Sequence, residues 1–179
     1  MYEVELKVEA DHDTVRDRLE ALGADRLGAV TQEDTYYDAP HRNFAETDEA
    51  FRIRRESHGD EAIVELTYKG PKVDAESKTR EEIETAVESG SDADAIFRAL
   101  GFEAAAVVEK DRDRYHLDGY TVTLDTVDGL GEFVEVEIEA EEVEDAREGA
   151  KEVMDELGLD HNEQIRTSYL GLRLGDAEE

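Results

Sequence analysis

Six segments of this chain alternate ionic with apolar side chains, and that alternation restricts the fold more than any other feature. The first is "MYEVELKV", where Glu3, Glu5 and Lys7 interleave with Val4, Leu6 and Val8. The others carry Arg52 and Arg54; Glu65, Thr67 and Lys69; Arg80, Glu82 and Glu84; Lys110, Arg112 and Arg114; and Glu135, Glu137 and Glu139. Successive side chains on a strand point to opposite faces, so each segment reads as a strand with one charged face. A half-exposed sheet satisfies the pattern with a solvated outer face. A closed barrel satisfies it differently. Its charges turn inward, acidic and basic strands meet, and amphipathic helices cover the apolar outside. Which face of "MYEVELKV" is dry separates the two arrangements.

The rest of the chain supplies the helices and turns. "DHDTVRDRLEALGAD" places Val15, Leu19 and Leu22 on one helix face, with Asp11 or Asp13 as cap and Gly23 at the end. Strands are expected over 2–9, 30–40, 49–57, 62–71, 80–87, 105–117, 120–127 and 131–141. Asp118–Gly119 is a two-residue hairpin signal. "SDADAIFRALGFE" is a second helix with Ser91 as expected cap. "VEDAREGAKEVMDELGL" is a third, and "NEQIRTSYLGLRL" is expected to be a fourth. The similar phrases "LEALGA", "FRALGF" and "MDELGL" are unevenly spaced, so they are helix ends and not a repeat period. No linker divides the 179 residues, and one α+β domain is expected.

Charge and composition exclude several functions. Fifty acidic residues stand against 20 basic ones, a formal charge of −30. Such a field repels nucleic acid and anionic lipid. It suits high salt, where counterions screen self-repulsion, so a halophilic cytoplasm is the expected setting. No cysteine is present, which removes disulfides, thiolate catalysis and zinc–thiolate sites. No run of roughly 18 apolar residues and no signal-peptide pattern occur, so a soluble, cytoplasmic protein is expected. Only six lysines remain: Lys7, Lys69, Lys72, Lys78, Lys110 and Lys151. Three of them, Lys7, Lys69 and Lys110, fall on expected strands. Lys72 and Lys78 fall in "KVDAESKT", which reads as a solvated connection, with closure over a tunnel mouth as the other reading.

A barrel interior rich in cations suits a polyanion such as triphosphate. Arginine offers forked donors to phosphate oxygens, and lysine a compact charge. Clustered carboxylates beside them suit Mg²⁺ or Mn²⁺, because hard cations prefer oxygen ligands. The five histidines fall in caps or turns without metal-ligand spacing.

With these residues in view, the chain resembles the CYTH family of triphosphate tunnel metalloenzymes, whose opening signature is E-x-E-x-K. Here that signature is Glu3-Val4-Glu5-Leu6-Lys7. "QEDTYYDAP", "FRIR", "ELTYKGP", "REEIE", "EKDR" and "LDTVDGLGEFVEVEIE" follow in the family's order, so the resemblance spans nearly the whole chain. The look is closest to class IV adenylyl cyclases and their archaeal relatives. The resemblance implies an eight-stranded antiparallel tunnel with helices outside and a triphosphate site within. It implies Glu3, Glu5, Asp125, Glu135 and Glu137 at the metals. It implies Lys7, Arg52, Arg54, Lys69, Arg80, Lys110 and Arg112 on phosphate. Tyr36 and Tyr37 either position a base or sugar or pack. Glu82 and Glu84 pair with tunnel cations, and Glu132 and Glu139 are surface charges.

Two activities fit one such tunnel. An adenylyl cyclase joins the 3′-hydroxyl of ATP to its α-phosphorus and releases pyrophosphate. A triphosphatase directs water at the terminal phosphorus of tripolyphosphate, thiamine triphosphate or a nucleoside triphosphate. In either, Lys7 is the candidate to orient or deprotonate the nucleophile. A non-catalytic triphosphate-binding module is the third reading. A homodimer is expected on general grounds of symmetry.

Overall fold

A computed structural model describes residues 1–175. Eight antiparallel strands close into a barrel in the order β1-β5-β4-β3-β2-β6-β7-β8. They are β1 (Tyr2–Glu9), β2 (Asp25–Asp38), β3 (Ala50–His58), β4 (Glu61–Lys69), β5 (Arg80–Val87), β6 (Glu103–Leu117), β7 (Tyr120–Val127) and β8 (Gly131–Ala140). The helices are α1 (His12–Ala21), α2 (Phe44–Thr47), α3 (Gly90–Ala99), α4 (Val143–Glu156) and α5 (Tyr169–Leu174). None of these helices is long and apolar enough to cross a membrane.

Both faces of β1 are dry. Val4 and Leu6 are 0% exposed, and so is Lys7, while Glu5 is 3% exposed. Leu6 and Val8 join an apolar cluster with Val15 and Leu19 of α1 and Ala150, Val153 and Met154 of α4. Glu3 and Glu5 line the interior cavity. The apolar stripe therefore points outward beneath helices, and the charged stripe points into the barrel. The half-exposed sheet is excluded.

Register puts the charged stripes side by side. Residues opposite one another in an antiparallel pair share a face. Glu3, Glu5 and Lys7 of β1 face Glu139, Glu137 and Glu135 of β8. Arg112 faces Asp125, Arg54 faces Asp34, and Lys69 faces Glu82. The β1–β5 seam is the shortest, with only Tyr2↔Glu81 and Glu3↔Arg80. It is lengthened by the 70–79 connection, where the Lys78 N–H donates to Glu5 O at 3.0 Å.

Several local expectations hold, and several are corrected. Asp11 caps α1, accepting from Asp13 and Thr14 N–H. Asp118 and Gly119 both take positive φ, 51° and 87°, as a type I′ hairpin requires. The cap of α3 is Ser89, which accepts from Asp92 N–H, and Ser91 lies inside the helix. β2 begins at Asp25, earlier than expected, and α2 was not foreseen. His12 is the first residue of α1, yet it is buried with Nε2 2.9 Å from Phe133 O. The stretch expected as a fourth helix is a 3₁₀ turn (His161–Glu163), an extended run, then α5. Tertiary hydrogen bonds override helix there: Ile165 N–H donates to Lys7 O, and Ser168 caps α5.

α4 approaches the sheet closely at one glycine. Tyr120 of β7 donates its hydroxyl to Ala146 O at 2.9 Å. A Cβ at Gly149 would collide with that hydroxyl oxygen. Alanine is the better helix former by about 1 kcal/mol, but here it has no room. Gly149→Ala is therefore expected to lower stability in urea unfolding. In a Tyr120→Ala background the same change should be neutral or stabilising, and a loss in both backgrounds would refute the packing account.

Candidate functional site

The barrel encloses a cavity of about 1040 Å³. Its lining includes Glu3, Glu5, Arg52, Arg54, Lys69, Arg80, Lys110, Arg112, Glu135 and Glu137. These are ten of the residues expected at the site. Asp125 and Lys7 are fully buried and are not among its lining residues.

One end of the site is carboxylate-rich. Oxygens of Glu3, Glu5 and Glu137 all lie within 4.8 Å of one another. Burial, then the Glu3 charge, pushes the Glu137 carboxyl up to about 8. Burial, then Glu135, raises Glu5 as well. Burial and like charge thus both resist ionisation of these carboxylates, and every ligand atom is a hard oxygen. Both facts fit a divalent cation such as Mg²⁺ or Mn²⁺. Two ammonium groups flank the cluster: Lys69 Nζ is 3.1 Å from Glu3 and 3.0 Å from Glu82, and Lys78 Nζ is 3.0 Å from Glu5.

Glu135 and Asp125 belong to a neighbouring network. Arg112 donates to both oxygens of Asp125 at 2.7 Å and to Glu135 at 2.9 Å. Tyr169 donates its hydroxyl to Asp125 at 2.8 Å. Burial would raise Glu135, but Arg112, Lys78 and Lys110 hold it well below the usual carboxylate range. Asp125 therefore sits against Arg112 and Tyr169, outside the three-carboxylate cluster.

The opposite wall is basic and centres on Asp34. Arg54 donates to both of its oxygens at 2.7 Å. Arg52 and Lys110 stand farther off, at 3.7 and 3.9 Å. Arg52 reaches Glu82 only at 3.8 Å, and its Nε is buried without a hydrogen-bond partner among the described residues. Lys110 is 5% exposed, and burial followed by Arg112 and Arg54 lowers its ammonium to about 7. These two cations are loosely paired and face the cavity. Arg80 differs, since its guanidinium donates to Asp48 O and Gly70 O at 2.8 Å and braces the connection after β4.

Lys7 is placed unlike the other cations. Its Nζ donates to Thr167 O at 2.5 Å and lies 4.2 Å from the Tyr169 ring centre. Burial, then Lys78, lowers it to about 7, against the pull of Glu135 and Glu5.

Four groups of the site escaped sequence reasoning. Lys78 was read as solvated, yet it is 9% exposed and ion-paired to Glu5. Asp34 lies in "QEDTYYDAP", where Gln32, Asp34 and Tyr36 are all buried at alternate positions of β2. The intervening Glu33 and Thr35 are polar too, so no apolar stripe in the sequence marks the inward face. Thr167 and Tyr169 had no sequence signal either, because their place depends on how α5 docks. Glu82 does pair with tunnel cations, as expected. Tyr36 lines the cavity and accepts from Arg52 at 3.5 Å, while Tyr37 packs on Phe51 and Phe97.

A closed antiparallel barrel lined by paired cations beside a carboxylate cluster defines a tunnel-type domain. The chain belongs to the CYTH domain family, which it matches over residues 1–169. It is similar to MJ0240 of Methanocaldococcus jannaschii, 38% identical over 97% of this chain and 99% of that protein. It is similar to Adenylate cyclase CyaB of Aeromonas hydrophila, 26% identical over 94% and 86%. The PH1819 structure from Pyrococcus horikoshii OT3 superposes with a TM-score of 0.90, at 38% identity, covering 97% and 98% of the two chains. Members of this family bind triphosphates such as ATP, and the family implies a divalent metal.

The Glu137 carboxyl makes stability pH-dependent. Its folded value, about 8, exceeds the ordinary 4.5, so between these the folded state binds more protons. Stability from this group is present below 4.5 and is lost as pH rises through 8. With divalent ions chelated, Glu137→Gln should gain stability over wild type progressively across that window. A constant difference at every pH would contradict the placement of Glu137.

Proposed function

We propose that this protein is a metal-dependent adenylyl cyclase, converting ATP to cyclic AMP and pyrophosphate. Two buried cations with long ion pairs, Arg52 and Lys110, face the carboxylate cluster across one cavity and support a metal and triphosphate site; the observation that carries the nucleotide reading is the aromatic surface of Tyr36 and Phe44 lining that cavity. Arg52, Arg54, Lys69, Lys110 and Arg112 would hold the triphosphate, with Arg80 bracing the same wall. Glu3, Glu5 and Glu137, with Glu135 beside them, would hold the divalent ion. That ion would neutralise charge on the phosphate oxygens.

In the reaction, the bond from O3′ to the α-phosphorus forms and the bond from that phosphorus to the bridging oxygen breaks. Pyrophosphate leaves onto the cations, which are in place before charge develops. The hydroxyl proton passes to a base. Lys7, at about 7, is the proposed acceptor. Its Nζ donates to Thr167 O, which orients the group, and in the neutral amine the lone pair remains to accept the proton. Tyr36 and Phe44 line the cavity and offer aromatic surface to a base. The name of Adenylate cyclase CyaB supports the same choice.

Incubation with ATP and Mg²⁺ or Mn²⁺ at high salt should yield cyclic AMP and pyrophosphate. Glu5→Gln and Glu137→Gln should each lower kcat by at least about 100-fold. Arg52→Ala and Lys110→Ala should chiefly raise KM, by roughly 10- to 100-fold for a lost charge-assisted contact. Phosphate release from tripolyphosphate without cyclic AMP would make the protein a triphosphatase instead. Binding without turnover would make it a triphosphate-binding module.

A further inference from the structure

The carboxylate cluster already has a cation of its own, and that cation comes from a loop. Lys78 lies in the 70–79 connection, not on a strand. Its Nζ is 3.0 Å from Glu5 Oε1, one of the three clustered carboxylates. Lys69 is the other flanking ammonium, but it projects from β4 and bridges Glu3 and Glu82. It has a second partner to hold it. The ion pair found for Lys78 is with Glu5.

The backbone beneath Lys78 is held from several sides. Its N–H donates to Glu5 O, and Val73 N–H donates to Thr79 O. Arg166 donates to Asp74 O and Ser77 O, and Arg147 of α4 pairs with Asp74 and Glu76. A change in position therefore falls on the four-carbon side chain, which is flexible. A divalent ion on Glu5 would share an oxygen with an ammonium a few ångströms away. In a buried site those like charges repel strongly. Lys78 lines the same cavity as Arg52, Lys69 and Arg112, so its ammonium has an anion site within its surroundings.

We propose that Lys78 is the resident countercation of Glu5, displaced when a divalent ion enters the Glu3–Glu5–Glu137 cluster, and that the freed ammonium then binds the polyphosphate. This rests on the metal and triphosphate reading above and adds an order to it. Metal loading converts a lysine that neutralises the protein into one that neutralises the substrate. The two ligands thereby favour one another through one side chain.

Calorimetric titration of Mn²⁺ into metal-free protein tests this without turnover. Lys78→Met should bind Mn²⁺ at least about tenfold more tightly than wild type, because a competing charge is gone. Lys78→Gln, which keeps a donor toward Glu5 but no charge, should show the same gain. Lys78→Arg should stay near wild type. Titrated with tripolyphosphate in the presence of Mn²⁺, Lys78→Met and Lys78→Gln should bind several-fold more weakly. Unchanged or weaker Mn²⁺ binding in both neutral variants overturns the proposal. Glu137→Gln separates the two levels. If it abolishes Mn²⁺ binding while the neutral variants gain nothing, only the role of Lys78 fails. If it leaves Mn²⁺ binding intact, the metal reading fails, and the proposal with it.

Discussion

Ionic groups inside a closed barrel are tolerable only where each meets a countercharge, and that constraint organises this molecule. An isolated charge transferred from water to the interior costs many kcal/mol, while a paired and hydrogen-bonded one is accommodated. The barrel answers with interlocked pairs. Arg54 clasps Asp34, Arg112 clasps Asp125 and Glu135, and Lys69 bridges Glu3 and Glu82. These pairs link neighbouring strands, so each strand orients the side chains of the next. What they leave over is informative. Carboxylates crowd one another at Glu3, Glu5 and Glu137, and Arg52 and Lys110 meet their countercharges only at 3.7 to 3.9 Å.

The outside of the barrel is an ordinary apolar problem, solved separately. α1 and α4 cover β1, β7 and β8, while Phe97 of α3 and Phe102 just after it cover Ile53 and its neighbours. The C-terminal segment is the exception, since it serves both layers. It docks Tyr169 against Phe133 and Val108, yet the Tyr169 hydroxyl reaches Asp125 and its ring lies near Lys7 and Lys110. Through Arg166 and the 70–79 connection, the same segment touches the backbone that carries Lys78. The site is therefore braced from outside the strands.

Most of the barrel was legible because strand alternation is a local code. A reader who sees Glu3, Glu5 and Lys7 against Val4 and Leu6 needs only to decide which face is wet, and the arginine pairs argue for the inside. Asp34 escaped that code, because Glu33 and Thr35 on the other face are polar too and leave no alternation to read. Lys78 was not legible, because a loop has no period and its burial comes from a strand far away in sequence. Tyr169 and Thr167 were hidden for a related reason. Helical propensity in "NEQIRTSYLGLRL" pointed to a single helix, and hydrogen bonds to Lys7 broke it.

An interior built for a chain of phosphates should discriminate against other anions. Thermal unfolding in tripolyphosphate, compared with sulfate at matched ionic strength, tests it directly. A ligand bound only by the folded state stabilises it by about 2.7 kcal/mol at a hundred times its dissociation constant. The account predicts a midpoint that rises with tripolyphosphate concentration, with a far smaller rise in sulfate. Equal shifts in the two salts, or none in tripolyphosphate, would contradict it.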